Sequence, residues 1–125
     1  MNVERFEMKK HYKQIIDWCL QRDIEPPHPT LLPEAGFIVS DVVAVFLYKT
    51  DSSVCFIEWL ISNKACDRSL MLAGKKMVID AALLEAKKFG FKVVMVATKI
   101  KSVADTAISY GFKDRGSYTL LEGGT

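Results

Sequence analysis

A run of apolar residues at helical spacing, with a strand-like segment on either side, restricts the folds open to this chain more than any other feature. The residues recur at intervals of three and four positions: Leu70, Ala73, Met77, Ala81 and Leu84. This spacing predicts a long amphipathic helix that ends at Gly90, because glycine readily adopts the left-handed cap conformation. Segments 54–61 and 92–98 are apolar and strand-like. Because strands joined through a helix run parallel, the sequence predicts one parallel pair.

The segments before this helix predict an antiparallel meander. Three β-rich stretches, 37–39, 42–48 and 54–61, are separated by short polar turns. A weakly alternating segment at 3–8 predicts an edge strand, and residues 11–22 have the apolar spacing of a helix.

Three further segments complete the predicted order. Residues 25–33 hold all four prolines and predict an extended loop, because proline neither continues a helix nor pairs in a central strand. Residues 102–110 predict a short helix that begins with a capping box of Ser102 and Asp105. Residues 117–121 predict a last strand. The expected fold class is α+β, with a mixed, mostly antiparallel sheet flanked by helices.

The composition favours a single domain over residues 1–125. Of the 125 residues, 50% are hydrophobic and 26% are charged, and a chain of this length buries roughly two-thirds of its unfolded surface. It is expected to fold without disulfide or metal support. The net charge of +2 is too small for a dedicated nucleic-acid-binding protein, so no nucleic-acid partner is expected.

Cysteine usage and hydropathy favour a reduced, soluble, cytoplasmic protein. The three cysteines form no C-x-x-C pair and are accompanied by only two histidines, so neither a disulfide framework nor a metal site is expected. The longest apolar run has seven residues, whereas about 18 are needed to cross a bilayer. We therefore expect no membrane partner.

One carboxylate interrupts an apolar strand face. Every second residue of a strand lies on the same face, which groups Glu58 with Val54, Phe56 and Leu60. Trp59 then lies on the opposite face and fills the core. Partial burial raises the pKa of a carboxyl group, which suits a general base that takes a proton from an ammonium substrate. The alternative is an ordinary surface carboxylate, since most glutamates are exposed.

Three stretches together carry a family resemblance over nearly the whole chain. They are residues 32–39 with 43–48, the sequence Arg-Ser-Leu-Met-Leu-Ala at 68–73, and residues 104–107 leading into Tyr-Gly-Phe at 110–112. They resemble the paired strands before the cofactor strand, the Q/R-x-x-G-x-G/A loop and the closing Gly-Phe pair of the GNAT superfamily of N-acetyltransferases. Some divergent members of that superfamily are phage-encoded.

The resemblance implies an N-acetyltransferase that moves an acetyl group directly from acetyl-CoA to the primary amine of a small molecule or peptide, without a metal. Glu58 is then the general base, and Tyr110 or a water protonates the leaving thiolate. The implied cofactor contacts are Ile61, Ser62, Arg68, Ser69, Leu72, Ala73 and Gly74. The resemblance is compatible with a homodimer but does not require one. The implied compartment is the cytoplasm of a bacterium or a phage-infected host cell.

The start of the long helix has the features of a site for an anionic diphosphate. Unpaired amides and the helix dipole attract an anion there, and Arg68 adds a fixed positive charge. Lys75 and Lys76 lie within reach of the phosphates. The alternative is a solvated helix start, at which Arg68 balances Asp67.

Two positions depart from the family pattern. Met71 stands where a glycine lets backbone amides approach the diphosphate, and Ala107 stands where a tyrosine usually acts as the acid. Tyr110 is near Ala107 in the chain, on what is predicted to be a different side of the helix. These departures favour an alternative function, a non-catalytic binding or phage-associated protein with the GNAT fold.

Overall fold

The computed structural model describes residues 1–125. In chain order its elements are β1 (Glu4–Arg5), α1 (Met8–Leu20), a 3₁₀ turn (Pro29–Leu31), β2 (Gly36–Val39), β3 (Val43–Lys49), β4 (Val54–Ser62), α2 (Arg68–Lys88), β5 (Val93–Met95) and α3 (Lys101–Ser109). One sheet holds the five strands in the order β1-β2-β3-β4-β5. Only β4 and β5 run parallel, and the other neighbours are antiparallel. The predicted α+β fold class, with its single parallel pair, is confirmed.

The core lies on both faces of β3. Alternate residues of a strand point to opposite sides of the sheet. Val43, Val45 and Leu47 therefore belong to the apolar cluster on the α2 side, and Ala44 and Phe46 to the cluster on the α1 side. Burial on both faces explains why this strand is continuously apolar in sequence. None of the three helices is both long enough and apolar enough to cross a membrane.

Helix α2 packs closely against the sheet because a glycine faces it. A Cβ atom at Gly74 would lie 2.9 Å from Cγ1 of Val42 and 3.2 Å from Cγ1 of Val43, so a larger residue would push the helix away. The helix ends as predicted, since Gly90 follows its last turn with a φ of 81°.

A bulge interrupts β4 at Trp59. Ala44 of β3 is opposite Ile61 and Phe46 is opposite Glu58, so two steps along β3 correspond to three steps along β4. The extra residue is accommodated by Trp59, whose φ of 55° lies in the left-handed region. A bulge of this kind bends its strand and twists it more strongly.

Because of the bulge, the residues of β4 beyond Glu58 lie on different faces from those predicted. Glu58 pairs with Phe46 and so faces the α1 side, but Leu60 packs against the cluster on the α2 side. Trp59 packs against the α1-side cluster and not on the face opposite Glu58. The prediction that Glu58 and Leu60 share a face is wrong, because one extra residue reverses the alternation beyond it.

The predicted capping box does not form. Helix α3 begins two residues earlier than the box requires, with Ile100 as its cap residue, and the Ile100 side chain makes no capping hydrogen bond. Asp105 is engaged elsewhere, because its carboxylate accepts a hydrogen bond from Nζ of Lys101 at 2.7 Å.

The predicted last strand is also absent. Residues 112–125 form no strand, and Tyr118, Leu120 and Leu121 are 73%, 84% and 84% exposed. A strand needs a partner for its backbone groups, and β5 offers only three residues, Val93–Met95, as an edge. The strand predicted at 92–98 is correspondingly shorter than expected.

Candidate functional site

A cleft of about 690 Å³ opens where β4 and β5 separate. The two strands pair from Val54 and Val93 to Phe56 and Met95, and no further. Beyond that point β4 passes through its bulge, while residues 96–98 leave the sheet and line the cleft. We attribute the separation to the bend that the bulge introduces into β4.

Three elements supply the walls of the cleft. Residues 58–62 of β4 form one wall, and α3 with the turn after it forms another. The third wall is one face of α2, with residues spaced by three or four positions: Arg68, Met71, Leu72, Lys75 and Ile79.

Six of the nine predicted site residues line this cleft, namely Glu58, Ile61, Ser62, Arg68, Leu72 and Tyr110. The structure does not bring the other three, Ser69, Ala73 and Gly74, to its surface. Gly74 is buried against β3 instead, where it sets the distance between helix and sheet.

Glu58 is a partly buried carboxylate without a partner. It forms no ion pair and no side-chain hydrogen bond within the chain, and burial raises its pKa above the ordinary value. Tyr48 lies in the same region, and its hydroxyl donates to the carbonyl oxygen of Leu31 at 2.9 Å. Burial, followed by the negative charge of Glu58, raises the pKa of Tyr48 to about 12. Glu58 is thus free to accept a proton.

The start of α2 is occupied in part by its own cap. The Asp67 carboxylate accepts a hydrogen bond from the backbone amide of Leu70 at 3.3 Å and another from the Ser69 hydroxyl. The Ser69 hydroxyl, and then the Leu70 amide, lower the pKa of Asp67. Arg68 makes no ion pair with Asp67 and lines the cleft, so its charge remains available to an anion.

Arg22 is a site residue that the sequence did not reveal. Its Nη2 donates to the Ser62 hydroxyl at 2.9 Å and to the Ser62 carbonyl oxygen at 3.2 Å, which ties the end of α1 to the end of β4. Arg22, Arg68 and Lys75 are the three cationic side chains that line the cleft. Forty residues separate Arg22 from Ser62, so no local motif links the two.

Solved structures with the same arrangement of strands and helices are acetyltransferases in several cases. A GNAT-family acetyltransferase from Staphylococcus aureus superposes with a TM-score of 0.69 at 14% identity, covering 94% of this chain and 89% of that one. The glucosamine-6-phosphate N-acetyltransferase from Arabidopsis thaliana gives 0.69 at 10% identity and covers 97% of each chain. The chain has the GNAT fold.

One similar solved structure is named as a regulator and not as an enzyme. A transcriptional regulator from Bacillus halodurans gives a TM-score of 0.69 at 10% identity and covers 98% of this chain and 99% of that one. The sequence itself matches no protein-family model and no curated protein. At these identities the likeness establishes the fold.

The two departures from the GNAT pattern both lie in the cleft. Met71 is partly buried, packs against the α2-side cluster and also lines the cleft, so its side chain fills space near the helix start. Ala107 lines the opposite wall. The cleft remains open with Met71 in place.

Tyr110 lies on the same side of α3 as Ala107. Both residues line the cleft, so the prediction of different sides is wrong, because residues three apart are neighbours on a helix surface. The Tyr110 hydroxyl is 3.5 Å from the carbonyl oxygen of Lys76. Burial, and then the negative charge of Asp80, raise the pKa of Tyr110, so it is protonated at neutral pH.

No metal centre accompanies the cleft. Nowhere in residues 1–125 do three or more His, Cys, Asp or Glu side chains come together in a way that could hold a metal ion.

Proposed function

We propose that this protein is an N-acetyltransferase that uses acetyl-CoA as acyl donor and a primary amine of a small molecule or peptide as acceptor. The observation that carries the proposal is the cleft between the separated strands, which combines an unpartnered, partly buried carboxylate with three cationic side chains. The acetyltransferases among the structures of the same fold support this reaction class.

The cations of the cleft fit the phosphates of the donor. Arg68 lies in the first turn of α2, where the helix dipole also favours an anion. Arg22 and Lys75 add charge along the same cleft. Ile61, Ser62 and Leu72 line the same cleft, and we assign them to the pantetheine. Ser69, Ala73 and Gly74 lie off the cleft and receive no part in donor binding.

Proton transfer is the chemical task of the chain's own residues. Acetyl-CoA supplies an acyl group activated as a thioester. A primary amine has a pKa of about 10.4 and must lose a proton before it attacks, whereas the thiol of the leaving group has a pKa near 8.5. Glu58, with its raised pKa, takes that proton directly or through water. Tyr110 or a water returns a proton to the thiolate.

Calorimetric titration with acetyl-CoA and with CoA tests donor binding. Arg68→Glu is expected to weaken binding at least tenfold, because it reverses a charge at the diphosphate position. Arg115→Glu reverses the same charge on an exposed residue outside the cleft and is the matched control, with an expected change below twofold. Absence of heat above background at millimolar ligand would contradict the proposal.

A second candidate function, a binding protein without turnover, has specific support. Met71 and Ala107 replace residues that the GNAT pattern uses for donor approach and for the acid, and one structure with this fold is named a transcriptional regulator. A thiol-release assay over amino acids, aminoglycosides, polyamines and peptides separates the two functions. Donor binding without thiol release for any acceptor would favour the binding protein.

A further inference from the structure

Two neighbouring lysines of α2 have opposite environments. Nζ of Lys76 is 3.0 Å from the Asp80 carboxylate, and its side chain is 71% exposed. Lys75 has no ion pair and no side-chain hydrogen bond, is partly buried and lines the cleft. One amine is therefore held by a partner in solvent, and the other is free inside the site proposed for acetyl-CoA.

Lys75 lies along the path that the donor must take. Because α2 connects two parallel strands, it runs back antiparallel to β4. From Arg68, seven residues of helix advance roughly 10 Å to Lys75. From Ser62 to Glu58, the bulged strand β4 spans only three residues of β3, from Val43 to Phe46, an advance of roughly 10 Å. Helical side chains lean toward the helix start. The amine is therefore placed between the diphosphate position and Glu58.

The surroundings of Lys75 also favour the uncharged amine. Burial lowers the pKa of Lys75, whereas the hydrogen bond to Asp80 raises the pKa of Lys76. A lysine with a lowered pKa holds more free amine at neutral pH and is a better nucleophile. Lys75 thus needs less help from a base than an ordinary amine acceptor does.

We propose that Lys75 is a self-acylation site that acyl-CoA modifies from within the cleft. This inference rests on the proposed function for its acyl donor. Nζ of Lys75 attacks the thioester carbonyl carbon, so a nitrogen–carbon bond forms and the carbon–sulfur bond breaks. The thiolate of CoA leaves and is protonated by the proton that Nζ gives up. The products are one acetylated lysine and CoA.

The modification is expected to reduce donor binding. An amide does not pass its acyl group to an amine as a thioester does, so acetyl-Lys75 is an end product and not an intermediate. It removes one of the three cationic charges of the cleft and adds an acetamide to the α2 wall. Exposure to acyl donor without an acceptor therefore lowers the protein's own affinity for CoA.

Mass spectrometry of the intact protein and of its peptides tests this inference. After incubation with acetyl-CoA alone, we expect the mass of one acetyl group, located at Lys75, at a rate at least tenfold above that at Lys76. Excess CoA is expected to slow modification of Lys75, because it competes for the cleft, and to leave surface lysines unaffected. Lys75→Arg is expected to abolish the rapid phase, and Lys76→Arg to preserve it.

A calorimetric titration of the same sample with CoA distinguishes the two possible failures. If CoA binds and Lys75 is modified no faster than surface lysines, or if excess CoA gives no protection, the self-acylation inference is wrong and the proposed function stands. If CoA does not bind, both are wrong. A second variant, Lys75→Gln, resembles the acetylated side chain and is expected to bind CoA several-fold more weakly than the unmodified protein.

Discussion

The three walls of the cleft come from two regions that differ in how they are packed. Every buried residue of the chain lies at or before Ala86, in the part that contains β1 to β4, α1 and α2. Residues 89–125 contribute β5, α3 and the wall with Ala107 and Tyr110. None of these residues is fully buried. The walls from β4 and α2 are fixed by the core, and the wall from α3 is held mainly by partly buried contacts. The donor is therefore expected to order the α3 wall more than the other two.

The largest expected effect comes from a substitution in the packed region. Phe46 is 0% exposed, and Phe46→Ala is expected to lower the free energy of unfolding by about 3–5 kcal/mol, because it opens a cavity in the core. Ile108 of α3 is 53% exposed, and Ile108→Ala is expected to cost less than about 0.5 kcal/mol. Urea unfolding measures both values. Equal losses would contradict the difference between the two regions.

The second prediction compares the two proposed catalytic groups, one from each region. Glu58→Gln is expected to reduce the rate of thiol release about 100-fold with an identified acceptor, because the base is lost. Tyr110→Phe is expected to reduce it less than about tenfold, because water can protonate a thiolate. In the unmodified protein the rate should fall as the pH drops through the raised pKa of Glu58. An unchanged rate in Glu58→Gln would show that the base is misassigned.

Donor binding provides a third test, by hydrogen exchange. Acetyl-CoA is expected to slow exchange several-fold in residues 96–110, which form the weakly packed wall, because a ligand stabilises the state to which it binds. Exchange in residues 43–47 of β3 is expected to change little, since they are already buried. Protection confined to β3 would contradict the proposed difference between the two regions.

A smaller effect is expected from the cost of burying the Glu58 charge. The folded-state pKa of Glu58 is raised, so the fold favours its protonated form and loses stability as the pH rises through that pKa. Glu58→Gln should therefore raise the free energy of unfolding at pH 7, because the amide carries no charge to bury. The gain should vanish below the ordinary carboxyl pKa of 4.5. Thermal unfolding over this pH range measures the difference, and Glu122→Gln, at an exposed position, is the control.

The smallest effect is expected in the exposed tail. Leu120 and Leu121 contact no core cluster, so replacing both with serine should change the free energy of unfolding by less than about 0.5 kcal/mol. A loss above about 1 kcal/mol in urea unfolding would mean that this segment packs against the fold in solution.

Periodicity alone predicted most of the packed region. The apolar stretches 37–39, 42–48 and 54–61 predicted the antiparallel strands β2 to β4, and the spacing of α2 with its terminal Gly90 predicted the crossover and the parallel pair. These features are local, and each residue's position follows from its neighbours in sequence. The same reasoning failed at 117–121, because an alternating segment becomes a strand only where another strand offers it a free edge of adequate length.

The candidate site was only partly predictable, for a related reason. Glu58 stood out as a charge in an apolar strand, and Arg68 as a cation at a helix start. The bulge at Trp59 gave no sequence signal, because tryptophan rarely adopts the left-handed backbone conformation that it has here. Without the bulge, neither the reversed side of Leu60 nor the contact of Arg22 with Ser62 follows from the sequence. Arg22 and Ser62 are forty positions apart, so their contact depends on the fold as a whole.

The extra residue in the β4 bulge affects which deletions the protein can tolerate. Removal of one residue between Glu58 and Ile61 would give β4 the same number of residues as β3 here, so the two strands could pair without a bulge. Every acidic and basic residue of the site would still be present. The cleft between β4 and β5 would then be expected to close. The opening of the cleft therefore depends on the length of this segment more than on the identity of the added residue.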